Sequence, residues 1–160
     1  MTGVVWGFLW VLAAPPEGAA EPVPFFADTK FYRELLKKKA CTNDDGARIV
    51  LAYVEHGDSE CPPGDRVLKL KVRQLLAESW EIDPAEGLSA DLFAYMICRT
   101  LGVKGGLSAR LFGLGPRTAY REAVNLRLMR ANGQGRTLSG PELLSVMARV
   151  EEYRKKREND

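Results

Sequence analysis

The chain has few of the residues that build metal centres. It contains one histidine, His56, and three cysteines among 160 residues, which is too few for a self-contained zinc site. Its formal net charge of +2 is small, whereas domains that bind nucleic acids are usually strongly basic. We therefore expect no metal, no cofactor and no nucleic-acid partner.

Long apolar runs and alternating segments are also missing. No run approaches the ~20 residues of a membrane-spanning helix, and no alternation of polar and apolar residues is long enough to predict a strand. A composition of 46% hydrophobic and 28% charged residues is typical of a globular domain that buries its own core. Together these features favour a small all-α domain.

The longest apolar segment lies at residues 4–14, VVWGFLWVLAA. It suits the hydrophobic region of a secretory signal, followed by two prolines and by small residues that offer a cleavage site after Ala20. No Lys or Arg precedes it, and the alternative is a buried N-terminal helix of a cytosolic protein. We expect residues 1–20 to be a signal peptide, with no transmembrane segment after processing. The protein is then periplasmic or extracellular, in the cell envelope.

Periodic apolar residues and capping residues predict helices along the rest of the chain. The third of these helices opens at Asp65, and its apolar residues Leu68, Val72, Leu75 and Leu76 are expected to face the core. The last begins at Ser139 and is expected to fade into a solvated tail at residues 154–160. The predicted spans are 29–39, 44–56, a helix from 65, 89–101, 116–129 and a helix from 139.

The three cysteines are expected to remain unpaired in the chain. A helix between Cys41 and Cys61 holds its ends ~20 Å apart, whereas the Cα atoms of a disulfide lie about 4.4–6.8 Å apart. Cys98 falls in an apolar helix and is interpreted as a small core residue.

An internal repeat is the strongest pattern in the sequence. The segment LSADLFAYMICRT from Leu88 aligns without gaps on LSGPELLSVMARV from Leu138, and each follows a helix and a loop. Such units pack against one another to bury their apolar faces. We expect repeats at 65–106 and 107–153, preceded by an N-terminal helical segment at 21–64.

The two repeats differ at their helix starts. Ser139 and Glu142 have the spacing of a capping box, in which each side chain bonds the backbone N–H of the other. The first repeat keeps Ser89 but has Leu92 in place of the acid. Its helix start is expected to be weaker by about 0.5–1 kcal/mol.

The segment LSGPEL from Leu138 resembles the start of the second helix in the S-layer homology module, which opens in a Leu-Thr-Arg-Ala-Glu pattern. It matches at the leucine, hydroxyl, glutamate and following apolar positions, and LSADLF from Leu88 matches less closely. The resemblance covers roughly residues 65–153. It implies a helical domain outside the cytoplasm that binds cell-wall polymer. The arginine of the module's motif is Ala90 in one copy and Gly140 in the other.

The chain is also similar to an uncharacterised group of exported bacterial proteins that carry Gly-Gly, Phe-Gly and Pro-Arg between two helical halves. Here these pairs stand at 105–106, 112–113 and 116–117. S-layer homology modules usually form their binding grooves from three copies, and only about two are visible in the sequence. The resemblance therefore carries over the fold and location, and not the ligand contacts.

The glycine-rich segment 105–117 is the candidate binding site. Its glycines permit close backbone approach, and Arg110 and Arg117 are placed to hold a carboxylate or phosphate at a helix start. The alternative is a connector whose arginines are solvated or paired with Glu122. The spacing is not that of a P-loop, because no Gly-Lys-Ser/Thr follows.

Three functional classes remain open from the sequence. We favour a non-enzymatic envelope protein, a binding or scaffold module that engages cell-wall polymer or a protein partner. A second reading is a DNA-binding regulator, because residues 93–112 loosely resemble a helix-turn-helix. A third is a cell-wall hydrolase, for which Glu78, Glu81 and Glu86 supply carboxylates but no pair at a defined separation.

Overall fold

The fold was taken from a computed structural model, which describes residues 29–57, 61–103 and 114–159. These ranges contain helices and no strand, so the all-α expectation is confirmed. Residues 1–20, the predicted signal peptide, and Arg110 lie outside them. The helices are α1 Thr29–Lys37, α2 Asn43–Glu55, α3 Pro63–Val72, α4 Ala90–Thr100, α5 Pro116–Asn125 and α6 Gly140–Asn159.

Helices α2, α4 and α6 each start after a hydroxyl residue. Thr42 caps α2 in a full capping box with the aspartate three residues later. Ser89 caps α4 by accepting from the N–H of Leu92 at 3.2 Å, with no carboxylate to return the bond. At α6 the backbone N–H and the hydroxyl of Ser139 both donate to Glu142 Oε2, at 3.0 and 2.8 Å, which is the glutamate half of the expected capping box.

Helices α3 and α5 end in the same way, at a residue in the left-handed region. Gln74 has φ 57° and Arg127 has φ 61°, although neither is a glycine, the usual residue at such a helix end. Each reversal is closed by a 2.8 Å bond back across the helix end, from Leu75 N–H to Leu70 O and from Leu128 N–H to Ala123 O.

These reversals correct two predictions about the helices. The helix expected at 116–129 ends at Asn125, because the chain turns back at the next residues. The inward stripe expected for α3 is wrong at two positions, since Leu68 is 59% and Val72 is 77% exposed. Because α3 stops before Leu75, its buried face is set by Val67 and Leu70 instead.

In chain order these six helices make three helix-loop-helix units, which we call the first (29–55), second (63–100) and third (116–159) hairpin. The opening helix of each hairpin packs on the closing helix of another: α3 on α2, α5 on α4, and α1 on α6. The third of these contacts returns the chain to its beginning. The hairpins therefore close into a ring with approximate threefold symmetry.

Backbone hydrogen bonds close the same ring at its centre. Cys41 N–H donates to Leu138 O at 2.8 Å, Leu138 N–H to Leu88 O at 3.0 Å, and Leu88 N–H to Cys41 O at 2.8 Å. All three residues are buried. Each lies just before the cap of a closing helix, so the three helix starts meet around one axis.

A second set of backbone hydrogen bonds repeats the threefold arrangement, with donors two residues further along the chain. Three amides at the starts of the closing helices donate to carbonyls of the neighbouring hairpin at 2.8 to 2.9 Å. The pairs are Asn43 to Glu86, Ala90 to Arg136, and Gly140 to Lys38. The segment 29–55 thus occupies a place equivalent to that of each of the two repeats read from the sequence.

Helix α6 continues to Asn159, through the residues that the sequence analysis assigned to a solvated tail. Two arginines explain why it does not fade. Arg154 lies over the ring of Tyr53 in α2, with 5.5 Å from its guanidinium carbon to the ring centroid. Arg157 Nη1 donates to Leu101 O at the end of α4, at 3.1 Å. The end of α6 therefore contacts both other closing helices.

The expectations for the cysteines are confirmed. Cys41 and Cys61 form no disulfide with each other, and Cys98 is a buried thiol in the core. No helix within the described ranges is both long enough and apolar enough to cross a membrane.

Candidate functional site

The position of the arginine in the S-layer homology motif is buried in every hairpin. Its equivalents are Asn43, Ala90 and Gly140, and all three are buried. At Gly140 a Cβ atom would lie 1.6 Å from the carbonyl oxygen of Leu35 in α1. A long side chain cannot reach a groove from here, so any contact with an acidic ligand comes from other residues.

A pocket of about 220 Å³ lies in the third hairpin, between the end of α5, the loop that follows it and the first half of α6. Its apolar wall includes Met129, Leu138 and Val146. Three arginines also line it. Two lie in the loop between α5 and α6, and the third lies on α6. They are Arg130, Arg136 and Arg149.

Tyr120 fixes the loop that carries two of these arginines. Its hydroxyl donates to the carbonyl oxygen of Arg130 and accepts from the N–H of Gly133 at 2.7 Å. A Cβ at Gly133 would lie 3.1 Å from that hydroxyl, which is a tight contact. The small residue therefore allows the tyrosine to hold both ends of the turn.

Arg136 and Glu142 form a two-point ion pair at the pocket. The hydrogen bonds from Arg136, together with those from Ser139, lower the pKa of Glu142 to about 2. The carboxylate is thus ionised across the physiological range. It holds Arg136 at the pocket and also accepts the N–H bond at the start of α6.

The other two arginines differ in how they are held. Arg149 is half-buried, and its Nη1 donates to the carbonyl oxygen of Leu128 at 3.3 Å. Arg130 is exposed and forms no ion pair with any part of the chain that the structure describes. Among the three, Arg130 has the guanidinium best placed to meet an incoming anion.

A second depression, of about 470 Å³, continues along α6 from the first. Arg149 lines both pockets, so the two share one wall. Arg127, Lys156 and Arg157 add positive charge there, against the carboxylate of Glu152. The third hairpin therefore presents six cationic and two acidic side chains along one face, which we call the basic face.

The same places in the other hairpins are occupied differently. In the first hairpin Lys38 Nζ pairs with the capping-box acid Asp45 at 2.7 Å, as Arg136 does with Glu142. In the second hairpin these two places hold Glu86 and Leu92. The base and the acid are thus present together or absent together, which is what an ion pair requires.

The two arginines predicted from the sequence do not form this site. Arg117 is exposed on the first turn of α5 and lines neither pocket, and Arg110 lies outside the described residues. The roles of Arg110 and Arg117 as binding residues stay predictions. The sequence does not predict a site at Arg130, Arg136 and Arg149, because their spacing follows the turn after α5 and has no helical period.

The residues considered for other functions have ordinary surroundings. His56 lies at the end of α2 in the left-handed region, and its N–H donates to Ala52 O. Glu78, Glu81 and Glu86 are exposed side chains of the loop before α4. Part of the helix-turn-helix candidate at 93–112 lies outside the described residues.

Comparisons with known proteins add no relative. Neither protein-family models, nor curated proteins, nor solved structures give a match to this chain. The ring of hairpins and the chemistry of the basic face are therefore the features that point to a function.

Proposed function

We propose that the chain is a non-enzymatic envelope module of the S-layer homology type that binds an anionic cell-wall polymer through its basic face. The single observation that carries this proposal is the pocket of the third hairpin, with its apolar wall and three arginines. A sugar ring offers apolar C–H surface to such a wall. An acidic substituent on it would be held by the guanidinium groups.

The ring of three hairpins supports the likeness to a wall-binding module. The sequence resemblance covers two copies, and the segment 29–55 supplies a third in an equivalent place. Grooves in such an arrangement lie between neighbouring copies. The pocket lies mainly within the third hairpin and reaches the second only at Ala90, so it borders such a groove.

The length of the basic face favours a polymer over a small molecule. From Glu142 at the pocket to Arg157 near the end of α6 there are fifteen residues of helix, or about 22 Å at 1.5 Å each. Repeated acidic groups along a chain can meet Arg130, Arg149 and Arg157 in turn. Several weak contacts then add in one molecule by multivalency.

The first test is binding of the purified protein to an isolated anionic wall polymer, measured by co-sedimentation and calorimetry. Arg130→Gln should weaken binding about fivefold, the effect of ~1 kcal/mol from one exposed charge contact. Arg33→Gln is the matched control, because Arg33 is exposed on α1 and lines neither pocket. Equal affinity of both variants would remove the pocket from the proposal.

Two further arms separate the alternatives. The same polymer stripped of its acidic groups should bind at least ~10-fold more weakly, since charge contacts provide the attraction. Release of soluble wall fragments during the assay would instead favour the hydrolase. Steeply salt-dependent binding to duplex DNA in place of polymer would favour the regulator.

The proposed location has its own measurement. N-terminal sequencing of the protein from fractionated native cells should give Glu21 as the first residue in the envelope fraction, if the signal peptide is cleaved after Ala20. An intact Met1 in the cytosol would contradict export.

A further inference from the structure

Two loops that occupy equivalent places in the ring carry opposite charge. Residues 77–87, which we call the acidic loop, lead into α4 and contain four carboxylates; the one base earlier in this connection, Arg73, pairs with Glu55. Residues 126–137, which we call the basic loop, lead into α6 and contain three arginines and no Asp or Glu. All seven side chains are exposed; they are Glu78, Glu81, Asp83, Glu86, Arg127, Arg130 and Arg136.

The acidic loop also offers apolar surface between its carboxylates. Trp80 and Ile82 are half-buried, and each packs on the core from within the loop. The ring of Trp80 is held by Tyr95, with 4.7 Å between the two centroids. Asp83 Oδ1 accepts from Ala85 N–H at 2.9 Å. The loop is thus a formed surface in which apolar and acidic groups alternate.

The basic loop has the matching features. It borders the pocket of about 220 Å³, whose apolar wall lies behind a rim of arginines. An apolar side chain flanked by carboxylates suits such a pocket, because the wall takes the apolar part and the rim takes the charges. The two surfaces are therefore complementary in charge and in the order of their groups.

We infer that the basic loop and its pocket dock the acidic loop of a second copy of this chain. Within one molecule the two loops meet where Gly87 approaches Thr137, but no ion pair joins their charged side chains in the part of the chain that the structure describes. A contact between unlike surfaces is heterologous and leaves one free surface at each end. The assembly then grows head to tail, and the small net charge of +2 opposes it little.

This contact uses arginines that the proposed function assigns to polymer, so the two ligands should compete. The inference does not rest on that function, since it needs only the two charged loops. Exposed ion pairs are individually weak and are screened by salt. The association should accordingly be visible at low salt and at high protein concentration.

The test is sedimentation velocity on the wild-type protein and on two loop variants. One variant is Glu78→Gln with Glu81→Gln and Glu86→Gln, which leaves the hydrogen-bonded Asp83 in place. The other is Arg127→Gln with Arg130→Gln, which leaves the Arg136 ion pair intact. The wild type should form species larger than dimers at ~0.05 M salt and return to monomer at ~0.5 M, because screening shortens the reach of its charges.

Each variant alone should stay monomeric, and an equimolar mixture should form dimers only. The acidic-loop variant retains a basic loop and the basic-loop variant retains an acidic loop, so the mixture restores one contact and no second. A wild type that stays monomeric at low salt up to ~1 mM would overturn the inference, because that range includes even weak contacts. A mixture that stays monomeric, or a variant that still assembles alone, would overturn it too.

Thermal unfolding checks that both variants are folded, which their exposed positions favour. Polymer binding by the acidic-loop variant separates the two proposals. That variant keeps the whole basic face, so it should bind the polymer as the wild type does. Assembly without polymer binding would remove the proposed function and leave this inference standing, and the reverse result would do the opposite.

Discussion

Replacement of Gly140 by alanine probes the contact that closes the ring. The new Cβ would lie 1.6 Å from Leu35 O, whereas an ordinary contact is at least 3.4 Å, so α1 and α6 must separate by about 1.8 Å. Overpacking of this kind costs about 1–3 kcal/mol. The bond from Gly140 N–H to Lys38 O, 2.9 Å long, would also be weakened, for about 1 kcal/mol more.

We therefore expect Gly140→Ala to lower the free energy of unfolding by about 2–4 kcal/mol. Urea unfolding followed by circular dichroism measures this change through the midpoint and slope. Gly64→Ala is the matched control, because Gly64 is also in the first turn of a helix and a Cβ there would meet nothing within 4 Å. It should leave stability unchanged or raise it by up to ~1 kcal/mol.

Equal stability of the two alanine variants would refute the reasoning. It would mean that α1 does not pack against the start of α6, and that the first hairpin is not part of a closed ring. A loss confined to Gly140→Ala supports the close approach of the two backbones.

Three further predictions follow from the same structure. Glu142, whose pKa is held near 2, stabilises the fold above about pH 4.5 and loses this effect as the pH falls towards 2. In urea titrations at several pH values, Glu142→Gln should therefore reduce the loss of unfolding free energy at acidic pH by ~1 kcal/mol, the value suited to a partly exposed ion pair. Burial raises the pKa of Cys41 to about 11 and of Cys98 to about 12, so a disulfide reagent at pH 8 should modify these thiols only after unfolding. Arg154→Gln should cost ~0.5–1 kcal/mol in urea through its lost aromatic contact, whereas Lys155→Gln should be neutral.

Much of the helical fold could be predicted from the sequence, because caps and apolar periods are local signals. Ser89 and Ser139 mark two closing helices through their hydroxyls and the apolar run that follows. The third equivalent start, at Thr42, does not stand out in the sequence as a repeat. Cys41 stands where the other two copies have leucine. Asp45 stands where they have Leu92 and Glu142. Similar contacts are thus made by different side chains.

The ends of α3 and α5 could not be predicted for a related reason. Gln74 and Arg127 adopt a left-handed backbone without being glycine, so no residue type signals that the helix stops. The backbone hydrogen bonds across each helix end, together with the burial of Leu75 and Leu128, hold the two residues in this conformation. This is a tertiary effect, and the exposed Leu68 and Val72 show how it shifts the buried face away from the helical period.

The basic face could not be predicted from the sequence because it depends on that same reversal. Arg130 and Arg136 lie in the loop after α5, and Arg149 lies on α6, so only the folded ring brings them together. Their one sequence signal is the acid at position 142, which needs a basic partner nearby. The opposite charges of the acidic and basic loops could have been read from the sequence once the repeats were aligned.

Native-state hydrogen exchange at the centre of the ring tests most directly whether three hairpins close on one another. The amides of Cys41, Leu88 and Leu138 each donate to a neighbouring hairpin. In a closed ring all three should exchange only through global unfolding, with equal free energies of opening. Both the Cys41 and the Leu88 bonds join the first hairpin to its neighbours, through Cys41 N–H and Cys41 O. Exchange at these two amides that is much faster than at Leu138 would show that the first hairpin opens by itself, and would contradict the closed ring.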